Sequence, residues 1–136
     1  MKNISFAVCA LLIAHCSDSS IAPVSDNTVS LTFIAATESE AELELSNTTD
    51  SSIFYLGYSK STPLKRVEVL SDTGWTTVAW DWCATGASSQ EVLPNESVIV
   101  YAPVMRRNVT TRVLFGYHTQ PEGDYVNLVS NEFIVP

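Results

Sequence analysis

The chain has 136 residues, enough for one small domain. Apolar residues make up 46% of it, which excludes an intrinsically disordered chain, because such chains lack the apolar surface needed to offset the entropy of ordering. Its net charge of −8 comes without any basic stripe, which argues against nucleic acid as a partner.

Residues 1–15 have the layout of an export signal. Lys2 gives a short positive start, and Ile4 to Ala14 is apolar apart from Ser5, too short to span a bilayer. The run Ile13-Ala14-His15-Cys16, followed by Ser17-Asp18-Ser19-Ser20, resembles the lipobox of bacterial lipoproteins. The resemblance implies cleavage before Cys16, diacylation of its sulfur and acylation of the new amino group, making Cys16 the lipidation site. Two or more acyl chains anchor a protein stably where one does not. Ser17, rather than Asp, after the cysteine implies the outer membrane if the envelope is Gram-negative. His15 stands where that family has Gly, Ala or Ser. The competing cleavage, after Ala22, would release a soluble secreted or periplasmic protein. Residues 16–27, rich in Ser and holding Pro23, read as a flexible tether ahead of a domain over 28–136.

From there turn signals recur every 8–12 residues between short runs of Val, Thr, Ile and aromatics, the spacing of an all-β sandwich or barrel. Val29, Leu31 and Phe33 alternate with polar residues as a first strand. Ala41, Leu43 and Leu45 alternate with Glu42 and Glu44. A helix competes here, since Thr37 and Glu40 have capping-box spacing, but it would set Leu43 on the face opposite Ala41 and Leu45. After the turn Ser46 to Ser52, Ile53-Phe54-Tyr55-Leu56 is apolar on both faces, as in a central strand. Arg66 to Ser71 directs Val67 and Val69 inward. Asp72-Thr73-Gly74 closes a hairpin into Trp75 to Trp82, where strict alternation puts Val78, Trp80 and Trp82 on one face. Val92-Leu93, Val98 to Tyr101, Val109 to Tyr117 and a last strand or pair within Tyr125 to Val135 complete the set.

The expected architecture is an immunoglobulin-like antiparallel β-sandwich of about eight or nine strands. Its expected core is Leu43, Leu45, Val67, Val69, Val78, Trp80, Val100, Val113 and Phe115, each contributing roughly 1.5–3 kcal/mol on burial. The stretches Leu45-Ser46-Asn47-Thr48, Ile53-Phe54-Tyr55, Gly57-Tyr58-Ser59, Trp80 to Gly86 and Leu93-Pro94-Asn95-Glu96-Ser97 resemble uncharacterised exported bacterial domains of immunoglobulin-like type. They are more weakly similar to the sandwich of BsuPI-type proteinase inhibitors, in which a glycine occupies the place of Asn95. The resemblance spans about residues 40 to 104 and implies a fold, not functional residues.

Chemistry-bearing residues are few. With Cys9 in the signal and Cys16 acylated, Cys83 is the one free thiol and His118 the one mature histidine. A Cys83–His118 dyad is weighed against Cys83 as a small buried residue beside Trp82. One histidine excludes a blue-copper site, and no Cys/His spacing suits zinc, so neither cofactor nor metal is expected. Glu38, Glu40, Glu42 and Glu44 at alternate positions form a solvated outer row that discourages edge-to-edge pairing, rather than a calcium site. Arg106, Arg107 and Arg112 cluster around one loop. Among the aromatics, Trp80 and Trp82 are assigned to packing, while Trp75 beside Gly74 is the more exposed. Tyr58, Trp75, Arg106 and Arg107 form the expected interaction surface. The sequons at Asn47, Asn95 and Asn108 matter only in a eukaryotic secretory pathway.

These observations point to a non-catalytic, lipid-anchored binding or scaffolding module outside the cytoplasm, partnered by a membrane through its lipid and by a protein of the cell envelope. The alternatives are a proteinase inhibitor using the loop Ser59 to Leu64 or Ala84 to Gln90, and a small thiol-dependent enzyme.

Overall fold

A computed structural model describes residues 28–136, so the expected signal, the expected lipidation site Cys16 and the expected tether lie outside the described residues. Eleven strands follow: β1 (Val29–Ala36), β2 (Glu40–Asn47), β3 (Ile53–Ser59), β4 (Thr62–Pro63), β5 (Arg66–Ser71), β6 (Gly74–Trp80), β7 (Ser88–Val92), β8 (Glu96–Pro103), β9 (Thr110–Tyr117), β10 (Val126–Val129) and β11 (Phe133–Ile134). Two of them, β4 and β11, have only two residues each, too short to leave a periodic signal in the sequence. The segment 40–47 is a strand, as its alternation requires: Ala41, Leu43 and Leu45 are all buried.

One layer is the antiparallel sheet β1-β2-β8. Opposite it lie β10-β9-β5-β6, with β11 also on β9, and the smaller set β4-β3-β7. Mutual main-chain hydrogen bonds between Phe54 and His118 join the last two sets. Period-2 patterning on both layers seals one core. Leu31, Leu43, Leu45 and Val100 meet Ile53, Tyr55, Val67, Val113, Phe115 and Leu128 there. Phe33 stacks on Phe133 at 4.2 Å between ring centres, closing the sandwich where β1 approaches β11. The result is an all-β sandwich, and seven of the nine expected core residues are buried.

At one place an expectation fails for Trp80 and is only partly met for Val78, which packs against the core. Val78 is only half-buried and Trp80 is 67% exposed. The cause is a bulge: Val67 pairs with Ala79 but Glu68 pairs with Thr77, so Val78 is an extra residue in β6. An inserted residue reverses the phase of everything beyond it. Ala79 therefore turns inward opposite Val67, and Trp80 turns outward opposite Arg66. The strand ends at Trp80, and Trp82 stands 79% exposed on the following turn.

The acidic row also needs amendment. Glu40, Glu42 and Glu44 do project from the outer face of β2, but Glu38 precedes the strand. Since β2 is paired on both sides, the row shields a face and not an edge. At the β7–β8 turn Asn95 has φ of 59°, a value tolerated by Asn as by the glycine of the similar sandwiches. Pro94 before it and the Glu96 N–H donating to the Leu93 carbonyl complete a turn that needs that positive φ.

Candidate functional site

The outer face of β10-β9-β5-β6 carries the richest side-chain chemistry. Register fixes which residues meet there. Trp80, Arg66, Leu114 and Val129 oppose one another across the four strands, and Thr77, Glu68 and Arg112 form the next rung. Glu68 is buried on this face because two arginines cover it. Its Oε1 accepts from Arg66 Nε at 3.0 Å, and its Oε2 from Arg112 Nη2 at 2.7 Å and Nε at 2.9 Å. The Arg112 guanidinium lies 4.0 Å over the Trp75 ring, a cation–π contact that fixes it. Trp75 is thus half-buried under an arginine, not the exposed residue that its turn position suggests. Arg112, likewise, belongs to β9 and not to the Arg106–Arg107 loop.

Beside this cluster a groove of about 430 Å³ opens on the same face, within the range of small-ligand sites. Leu56, Leu64 and Leu114 give it apolar walls, while Trp80 and Tyr125 flank it. Tyr125 lies across Gly116, where a Cβ would come 2.8 Å from its Cδ1, so only glycine leaves room for the ring. The same ring stacks on buried His118 at 4.9 Å. Polar groups converge at one end. Asp81 Oδ2 accepts from the Lys65 N–H at 3.1 Å and pairs with its Nζ at 3.3 Å, while the Asp81 N–H donates to the Lys65 carbonyl. Arg66 and Asn127 complete the lining.

The surface expected from the sequence does not assemble as one patch. The Tyr58 hydroxyl donates to the Cys83 carbonyl, tying β3 to the 81–87 turn. Arg107 reaches the Pro136 carbonyl and stands 3.9 Å from Glu38, and Arg106 is exposed on the loop between β8 and β9. Trp75 serves Arg112 instead.

Cys83 is exposed on the segment after β6 and is not the small buried residue beside Trp82 that stands as the alternative to the dyad, since Trp82 itself is exposed there. Its Sγ lies 3.2 Å from Thr85 Oγ1, and hydrogen bonds from the hydroxyl and main chain of Thr85 lower the thiol pKa. His118 is buried between Phe54 and Tyr125, its Nδ1 without a hydrogen-bond partner, and no hydrogen bond links it to Cys83. Among the described residues, no three His, Cys, Asp or Glu side chains gather as metal ligands. Of the two loops set aside for an inhibitor, 59–64 is a packed hairpin with Pro63 buried and Lys60 paired to Glu96 at 2.6 Å, whereas 84–86 is exposed. Asn47 is fully buried with its amide nitrogen bonded to three carbonyls, so its sequon is closed in the folded chain.

Sequence reasoning missed Leu56, Leu64, Lys65, Leu114, Tyr125 and Asn127 as groove residues. They come together from β3, the segment before β5, β9, β10 and the residue just before β10, a convergence that no single stretch of chain displays. No protein-family model matches the chain, and comparison with curated proteins finds no match either.

Proposed function

We propose that the protein is a non-catalytic binding module, held at a bacterial envelope membrane by lipid on Cys16, with the outer-face groove as its binding surface. The observation that carries this reading is that Trp80 and Tyr125, 67% and 54% exposed, flank a preformed groove although the core beneath closes without them. Leaving large aromatic surface in water forgoes burial worth roughly 1.5–3 kcal/mol per side chain, a cost that binding a partner would recover.

Two measurements test it. Palmitate labelling should mark the wild-type chain and send it to the membrane fraction, while Cys16→Ala abolishes both; an unlabelled wild type refutes the anchor. The lipid-free processed chain should be retained on isolated envelope sheets. A Trp80→Ala/Tyr125→Ala variant with an unchanged melt should be retained about tenfold less, the loss of roughly 1.4 kcal/mol. Equal retention refutes the groove as the binding surface.

A further inference from the structure

Resting on that reading of the groove, we propose that its ligand is a neutral oligosaccharide, stacked on Trp80 and Tyr125 and hydrogen-bonded by Asp81, Arg66 and Asn127.

The charges choose between ligand classes. Each cation lining the groove already has a carboxylate partner: Lys65 pairs with Asp81 at 3.3 Å, and Arg66 with Glu68 at 3.0 Å. An ionic ligand would have to break one of these pairs or compete with it. The chain as a whole, at −8, also repels anionic polymers. A hydroxyl group needs neither concession, since it both donates and accepts. It can donate to Asp81 Oδ1, the oxygen that Lys65 does not use, and accept from the Arg66 Nη groups that Glu68 does not use. Asn127 offers both functions at once.

The aromatics supply the complementary half. A pyranose ring presents an apolar face of C–H groups with hydroxyls around its rim, which suits an indole or phenol platform with polar groups beside it. Trp80 ends β6 and Tyr125 immediately precedes β10, and these are the outer strands of a four-strand order. Three inter-strand steps set these strands about 14 Å apart, and the four-residue offset of Tyr125 from Val129, the rung level with Trp80, lengthens the backbone separation to roughly 19 Å. That span fits a ligand of several rings and not a single sugar. A peptide added to the unpaired edge of β6 is the rival occupant. It would bind through main-chain groups and would need neither Tyr125 nor Asn127.

The test titrates the processed chain with cellohexaose and chitohexaose, neutral and flat, and with hexagalacturonate, which is anionic. Tryptophan fluorescence and calorimetry provide the readout. The expected result is saturable binding of a neutral hexamer that is unchanged by added salt. Trp80→Ala should weaken it about tenfold or more, equivalent to roughly 1.4 kcal/mol. Gly116→Ala, whose Cβ must displace the Tyr125 ring, should weaken it too while the core and the melt persist. Trp75→Phe, outside the groove, should leave it unchanged. No binding of either neutral hexamer overturns the proposal, as does tighter, salt-sensitive binding of hexagalacturonate. Capture of an extended peptide that survives Trp80→Ala and Tyr125→Ala also overturns it. If sugars fail while retention on envelope sheets still depends on Trp80 and Tyr125, the oligosaccharide is wrong and the binding module stands. If both fail, the groove is not a binding surface.

Discussion

Replacing Asn47 by alanine should be among the most damaging single substitutions in this domain, although the residue touches no site. Asn47 closes β2 and is wholly buried. Its Nδ2 donates to the carbonyls of Ser51 at 2.9 Å, Val92 at 3.1 Å and Leu93 at 3.1 Å. Its Oδ1 accepts from the Thr49 N–H at 3.1 Å and hydroxyl at 2.7 Å. One side chain thus shapes the β2–β3 turn and pins it to the end of β7 in the other layer. In the alanine variant water can reach most of these partners, so their loss costs little beyond the net value of each bond. The Val92 carbonyl bond is the buried one, and an orphaned buried acceptor costs about 1–3 kcal/mol. Adding one or two net bonds at roughly 1 kcal/mol gives a total of about 2–4 kcal/mol. Against a typical stability of about 5–15 kcal/mol this is a large fraction, and it lowers the midpoint of melting by about 10–25 °C. Asn47→Asp is the sharper companion. It keeps the shape but turns a carboxylate oxygen toward three carbonyls, so the folded-state pKa of that carboxyl must rise. The variant should then be least stable above that pKa and recover as acid protonates it. Urea unfolding followed by tryptophan fluorescence measures both variants. An Asn47→Ala chain within about 0.5 kcal/mol of the parent would refute the reasoning.

Three further outcomes are expected. Glu68→Ala leaves Arg112 without its carboxylate over Trp75 and should cost about 1–3 kcal/mol in urea unfolding, while Glu68→Asp, one methylene shorter, should cost less. The Tyr55 hydroxyl, donating to the Lys60 carbonyl, has its pKa pushed up to about 12 by burial and then by the nearby Glu96 carboxylate. A folded pKa above the unfolded one means stability is full below pH 10 and drains as pH rises toward 12; Tyr55→Phe should flatten that alkaline loss in pH-resolved melts. Cys83, exposed and with its pKa lowered by Thr85, should react at once with a thiol reagent in the native state. Thr85→Val should shift that reactivity to higher pH, and a thiol that reacts only after unfolding would contradict the exposed turn.

Much of the fold was legible because one rule, alternation, governs buried strands wherever the ladder is regular. Leu43 and Leu45, Val67 and Val69, and Val113 and Phe115 all face the core as their spacing requires. Asn95 was also legible, since only a few residues tolerate the positive φ that its turn demands. Non-local pairing was not. The Phe54–His118 bridge and the convergence of Lys65 with Asp81 depend on segments distant along the chain. Nothing in their own sequence marks them.

The bulge at Val78 shows why the site in particular escaped. Trp75 and Trp80 are five residues apart, so uninterrupted alternation would place them on opposite faces. With Val78 inserted, both stand on the outer face, opposite Leu70 and Arg66. Without the insertion Trp80 would turn toward a core that Tyr55 and Phe115 already fill, their rings 5.4 Å apart. Forcing an indole into packed space costs about 1–3 kcal/mol. The extra residue avoids that cost and sets Ala79 inward in its place. The irregularity that defeats a reading by period is therefore what shapes the groove: it moves Trp80 from the interior to the wall beside Arg66 and Asp81.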